Sequence, residues 1–172
     1  MLRLTVRIER RVVSALLWSK FMSQDFYVVC DNLRSLYNVG SIFRTADAVG
    51  VKKIYLVGIT GKPPQRGIAK VALGAEKSVA WEHTFRPTSL IRKLKKQGVQ
   101  LVALEQTKKS SVYTKFKPQF PLALILGNEL SGVSPNLLKL ADQVIYLPQQ
   151  GIKESLNVAV AFGVIAYYLR YH

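Results

Sequence analysis

Apolar runs and helix-like segments alternate along the chain from residue 26 onward. FYVVCD (26–31) reads as a strand, and NVGSIFRTADAVG (38–50) as the helix after it, with Asn38 at its N-cap and Gly50 as its stop. KIYLVG (53–58) is the next strand. Residues 62–84 form a weaker segment in which KPPQRG marks a loop. TSLIRKLKKQG (88–98) predicts a short basic helix, VQLVALEQ (99–106) a strand, and KKSSVYTKFKPQF (108–120) an exposed loop. Strand LALILG (122–127), helix SPNLLKLAD (134–142), strand VIYLP (144–148) and a last helix from about Ser155 complete the order. These strands are continuous apolar runs, the pattern expected when helices cover both faces of a sheet. The fold class is therefore α/β with a mostly parallel sheet, and ligands in such sheets lie beyond the carboxyl ends of the strands.

Two helices carry more information. In the first, Val39, Ile42, Phe43, Ala46 and Val49 share one face of a 3.6-residue wheel, and Arg44 points away from it. Periodicity alone makes Arg44 a solvated surface charge. The last helix, with Val158, Val160, Phe162, Val164, Ile165 and Tyr168, is apolar almost all round. Such a helix is buried on several sides, by its own core or by a second subunit. Ser155 and Asn157 stand where it begins, and helix capping alone accounts for such residues there.

The 172 residues, 49% of them apolar, suffice for one domain. The single cysteine, Cys30, lies in an apolar run, where a buried inert thiol is expected, and it suggests a reducing compartment. His83 and His172 have no partners at metal-ligand spacing, so no metal site is expected. No stretch reaches the roughly 20 apolar residues that span a bilayer. The start, MLRLTVRIERRVVSALLWSKFMSQ, is basic but lacks the cleavage site of a secretory signal, which points to the cytoplasm. Residues 1–24 read as a basic arm and 25–172 as the domain; Met22 is an alternative start, and the arm is either an RNA-contacting extension or an over-long gene start.

The formal charge is +15, unevenly distributed. Residues 62–117 hold thirteen Lys and Arg against Glu76, Glu82 and Glu105, a net of +10, whereas residues 118–172 balance to zero. One face for a polyanion follows, with nucleic acid ahead of a membrane surface because the basic segments lack a strong amphipathic helix. In a chain so short of acids, Glu129 is conspicuous. LALILGNELSGVS (122–134) places it where a buried strand meets a turn bracketed by Gly127 and Gly132.

Three segments together, NLRSLYNVGSIFRTADAVGV (32–51), LILGNELSGVS (124–134) and IYLPQQGIKESLNVAVA (145–161), resemble the SpoU/TrmH branch of the SPOUT RNA methyltransferases. With the strands between them they cover nearly all of residues 24–170, as in a minimal, single-domain member. The resemblance implies a C-terminal deep trefoil knot, a homodimer, and methyl transfer from S-adenosylmethionine to a ribose 2′-hydroxyl of RNA. It implies cofactor contacts at Leu104, Gly127, Leu147, Ser155, Leu156 and Asn157, the glycine allowing close approach of a ligand. It implies catalytic roles for Asn38, Arg44, Glu129, Ser155 and Asn157. The bulky Leu36-Tyr37 beside the RNA leaves substrate choice open: transfer RNA by analogy with small members, ribosomal RNA as the alternative. A non-catalytic RNA-binding protein of the same fold is a further alternative, against which the joint presence of the five polar residues argues. A generic nucleotide-binding protein lacks support, since neither GxxxxGK[ST] nor G-x-G-x-x-G is present.

Overall fold

Apolar runs can be buried only if their backbone N–H and C=O groups pair with one another, and a sheet pairs them. The computed structural model describes residues 24–152 and 155–172, so the expected arm lies outside the described residues but for Gln24. Among those residues the strands are β1 (Phe26–Asp31), β2 (Lys53–Val57), β3 (Ala80–Thr84), β4 (Gln100–Leu104), β5 (Ser111–Val112), β6 (Leu122–Leu126) and β7 (Gln143–Tyr146). They form one sheet in the order β3-β2-β1-β6-β4-β7-β5, and every ladder is parallel. The helices are α1 (Leu36–Ala48), α2 (Arg66–Ala72), α3 (Ala75–Ser78), α4 (Pro87–Lys96), α5 (Pro135–Leu138) and α6 (Val158–Tyr171).

Strand pleating divides the core in two. Val28 and Cys30 of β1, with Leu122, Leu124 and Leu126 of β6, face one cluster; Val29, Ala123 and Ile125 face the other. The first is covered by Ile42 and Phe43 of α1 and by Phe162, Ile165 and Leu169 of α6. Leu90, Ile91 and Leu94 of α4 and Leu137 of α5 cover the second. Full burial of each such side chain contributes about 1.5–3 kcal/mol. At the far end of α6 the buried Arg170 guanidinium donates to the carbonyls of Val49, Gly50 and Gln24 and lies over the rings of Phe26 and Phe120, tying α6 to the start of β1.

Three expectations change. Ser35, not Asn38, caps α1, its Oγ accepting the N–H of Asn38 at 3.3 Å. Asn38 lies one turn inside the helix, where its amide is free for another task. The weak segment 62–84 contains α2, α3 and β3; β3 is the sheet's edge, so its AWEHT alternates in exposure instead of running apolar. The loop 108–120 is partly ordered on α6. It contributes β5, buries Phe116, and sets Tyr113 edge-on to Tyr168 at 5.0 Å, while the Tyr168 hydroxyl donates to the carbonyls of Thr114 and Phe116.

Candidate active site

The parallel sheet brings the ends of β4, β6 and β7 to one rim, and the turn after β6 organises it. Asn128 and Gly132 exchange backbone hydrogen bonds of 3.0 and 2.9 Å, closing the turn that presents Glu129. The Asn128 side chain braces it from within, its Oδ1 accepting the N–H groups of Leu130 and Ser131 and its Nδ2 donating to the carbonyl of Asn32. A Cβ on Gly127 would run into the backbone of Gly132 and Val133. The close approach expected there of a ligand is thus made first by the turn's own chain.

Glu129 is directed at the N-terminus of α1. Its carboxylate accepts the N–H groups of Arg34 (3.0 Å) and Ser35 (3.2 Å) and the Asn38 Nδ2 (3.0 Å). Burial opposes its ionisation, but these donors outweigh burial and hold the carboxyl below the usual range, so it is charged at neutral pH. The charge then orders what lies beyond. An ionised carboxylate only accepts, which directs Asn38 Nδ2 to Glu129 and leaves Asn38 Oδ1 to receive Asn157 Nδ2 at 3.0 Å. Asn157 keeps its Oδ1 for the N–H groups of Ala159 and Val160, and so caps α6. One relay, Glu129–Asn38–Asn157, thereby joins the ends of β6, α1 and α6.

Beside it lies an open cavity of about 210 Å³. Leu104, Gly127, Leu147, Ser155 and Leu156 line it, as does Glu129. Asn157 is not among its walls and acts from the relay. Ser155 belongs to the cavity and not to the helix cap, which Asn157 supplies. Arg44 stands apart: it is exposed and its side chain forms no hydrogen bond or ion pair with the described residues. Six residues of helix place it about 9 Å along α1 from Asn38 and on a different side.

Two further acids stand at the strand ends, unmarked by any sequence motif. Glu105, just past β4, lines the cavity; its carboxylate accepts the N–H of Val133 at 2.8 Å and of Gln106 at 2.9 Å. Asp31, the last residue of β1 and 1% exposed, accepts the N–H and hydroxyl of Ser134 and the Asn32 amide. The signal that could have found them is an acid closing an apolar run, as in FYVVCD and LVALE. Cys30 is fully buried, and burial pushes its thiol far above the usual range, so it is no nucleophile. Among the described residues no group of His, Cys, Asp and Glu could hold a metal ion, and no helix is long and apolar enough to cross a membrane.

Apolar walls, a glycine-bracketed backbone and two carboxylates suit a ligand with flat apolar parts and a cationic centre. The sequence profile of the SpoU rRNA Methylase family matches residues 25–167, and the chain belongs to this family. It is 37% identical over 146 residues to the tRNA (guanosine(18)-2'-O)-methyltransferase of Aquifex aeolicus (strain VF5), which spans 84% of this chain and 68% of that protein. The Escherichia coli (strain K12) protein of the same name is 32% identical over 83% of this chain and 62% of its own length. Among solved structures, the AdoMet-bound rRNA methyltransferase from Sinorhizobium meliloti superposes with a TM-score of 0.81 at 32% identity, over 86% of this chain and 56% of the other.

Proposed function

We propose that the protein transfers the methyl group of S-adenosylmethionine to a ribose 2′-hydroxyl of RNA, transfer RNA being the preferred substrate and ribosomal RNA the alternative. The observation that carries this is the Glu129–Asn38–Asn157 relay beside the rim cavity, in a chain of the SpoU family. When bound, the cofactor supplies an electrophilic methyl group already activated by its sulfonium, so the protein's task is mainly alignment. Leu104, Leu147 and Leu156 offer apolar walls, Gly127 and Ser155 polar backbone, and Glu105 and Glu129 negative potential for a cation. A guanidinium holds its proton, with a pKa above about 12. Arg44 therefore acts as a cation, gripping an RNA phosphate and stabilising the developing alkoxide, while the proton leaves to phosphate or water.

The working protein in this reading is a cytoplasmic homodimer. Supporting the dimer, Val160, Val164, Tyr167 and Tyr171 form an exposed apolar stripe on α6, each at least 42% accessible. Because Arg44 does not reach the relay of its own chain, we assign it to the second subunit's cavity. The trefoil knot implied by family membership is supported by the path of the chain, which leaves β7 outside β4 and returns to pack α6 on α1. Calorimetry tests the cofactor reading. Binding of S-adenosylmethionine or its demethylated product is expected, and no heat from either at millimolar concentration with folded protein would remove the enzyme reading.

A further inference from the structure

All strands being parallel, the end of β3 lies on the same rim as the cavity. Three strand spacings of about 4.8 Å, across β2 and β1, separate it from the end of β6, roughly 14 Å in all. Phe85 follows β3 there with 77% of its surface accessible. His83 meets its ring edge-on at 4.7 Å and is itself hydrogen-bonded to the Gly58 carbonyl, so the ring is braced on one side and open on the other.

Basic residues surround it. Arg86, Arg92, Lys93 and Lys96 line one shallow groove with Phe85, and no acid is among its walls. Ser89, Arg92, Lys93 and Lys96 recur at helical spacing along the outer face of α4, opposite the buried Leu90, Ile91 and Leu94. Glu82 is bonded to Lys53 at 2.9 Å and feels Lys93 only through space, without a bond to it. Lys95, off this face, is bonded to Asp142. Arg86, Arg92 and Lys96 thus have no carboxylate partner among the described residues, and Lys93 forms no direct ion pair.

A lone exposed phenylalanine is ordinary, and so is a basic helix face. Their coincidence is not, because an aromatic face with adjacent unpaired cations is what a single-stranded nucleic acid requires: a surface for an unstacked base and partners for its phosphates. We propose that this groove docks a single-stranded segment of the substrate RNA, one base stacking on Phe85 and the phosphates following Arg86, Arg92, Lys93 and Lys96 down α4. The proposal rests on the RNA-methyltransferase reading and adds where the substrate is held. Even at the stacked-duplex rise of ~3.4 Å per nucleotide, the gap to the cavity spans no more than about four nucleotides. The docked base is thus a near neighbour of the methylated ribose, on the same loop or strand.

The test uses the full chain with a fluorescent 12-nucleotide single-stranded RNA, its duplex form, and total RNA from a strain lacking the gene. Phe85→Ala is expected to weaken single-strand binding about tenfold and duplex binding little, with Phe85→Trp restoring it. Arg92→Gln, Lys93→Gln and Lys96→Gln combined lower the salt slope of log K by about 2 for the single strand. In methyl transfer both changes raise the KM for RNA about tenfold, leaving kcat within about twofold and cofactor affinity unchanged. Single-strand binding and KM unaffected in both variants would overturn the proposal, even if the wild type methylates RNA. So would loss of binding to anionic lipid vesicles or an acidic peptide with RNA binding intact. A wild type that transfers no methyl to any RNA would instead defeat the underlying reading, and the binding measurements would still decide the groove.

Discussion

Glu129 shows how one charge orders a site. It satisfies two N–H groups at the start of α1 and, through Asn38, sets the amide orientation of Asn157. In Glu129→Gln one oxygen becomes a donor facing donors. We expect methyl transfer to fall about a hundredfold, and stability by about 1–2 kcal/mol at pH 7. The pH dependence separates charge from shape. The folded carboxyl titrates below its unfolded value of about 4.3, so its stabilisation is present above that pH and is lost as pH falls through the folded value. Urea melts from pH 7 to pH 3 are expected to show the gap between wild type and Glu129→Gln closing with acid; a constant gap would deny the charge its role. The residue's prominence was legible in a chain with ten acids. Of its partners, Asn38 was legible through the family resemblance, but Arg34 and Ser35 were not, because they contribute backbone N–H groups, which any residue supplies.

The turns join these residues into elements. Gly132 has φ of 70°, and a Cβ there would meet the Glu105 carboxylate that holds the Val133 N–H. Gly132→Ala therefore combines left-handed strain, about 1–2 kcal/mol, with displacement of a side chain lining the cavity. Chemical unfolding is expected to show at least that loss, and calorimetry at least a tenfold weaker cofactor; wild-type values in both would show that the turn does not shape the cavity. Legibility at this scale followed burial. β1, β2, β4 and β6 announced themselves as continuous apolar runs because both faces are covered or nearly so, and β7, which is only half-buried, through its Val144-Ile145-Tyr146. β3 and β5 lie at the two edges, where cover is incomplete, and their short mixed sequences carry no such signal. The amide of Asn38 suits a cap, but tertiary contact with Glu129 gives it a different partner.

For the whole molecule, α6 divides its apolar surface between the core and a stripe that nothing among the described residues covers. The all-round apolar sequence showed this breadth but not which side faces out. Val164 lies on the stripe at 44% accessible, so Val164→Glu should leave the monomer's fold within about 0.5 kcal/mol while halving the mass seen by light scattering at micromolar concentration. A monomeric wild type would contradict the dimer directly. If Arg44 serves the second subunit, the same substitution also abolishes methyl transfer.

Arg44 is where periodicity and family likeness diverge, and it decides the account most directly. Single-turnover methyl transfer to RNA from a strain lacking the gene, with the product digested and its 2′-O-methylnucleosides quantified, compares wild type, Arg44→Ala and Arg44→Lys. Being exposed and without side-chain partners among the described residues, Arg44 contributes little to stability, so alanine should cost no more than about 0.5 kcal/mol and leave cofactor affinity unchanged. A 2′-O-methylnucleoside is expected with wild type, and with alanine a rate lower by at least a factor of about a hundred, roughly 2.7 kcal/mol. Lysine, which lacks the planar fork that holds a phosphate at two points, should rescue little. A wild-type rate in Arg44→Ala, or no 2′-O-methylnucleoside from a wild type saturated with cofactor, would contradict this reading.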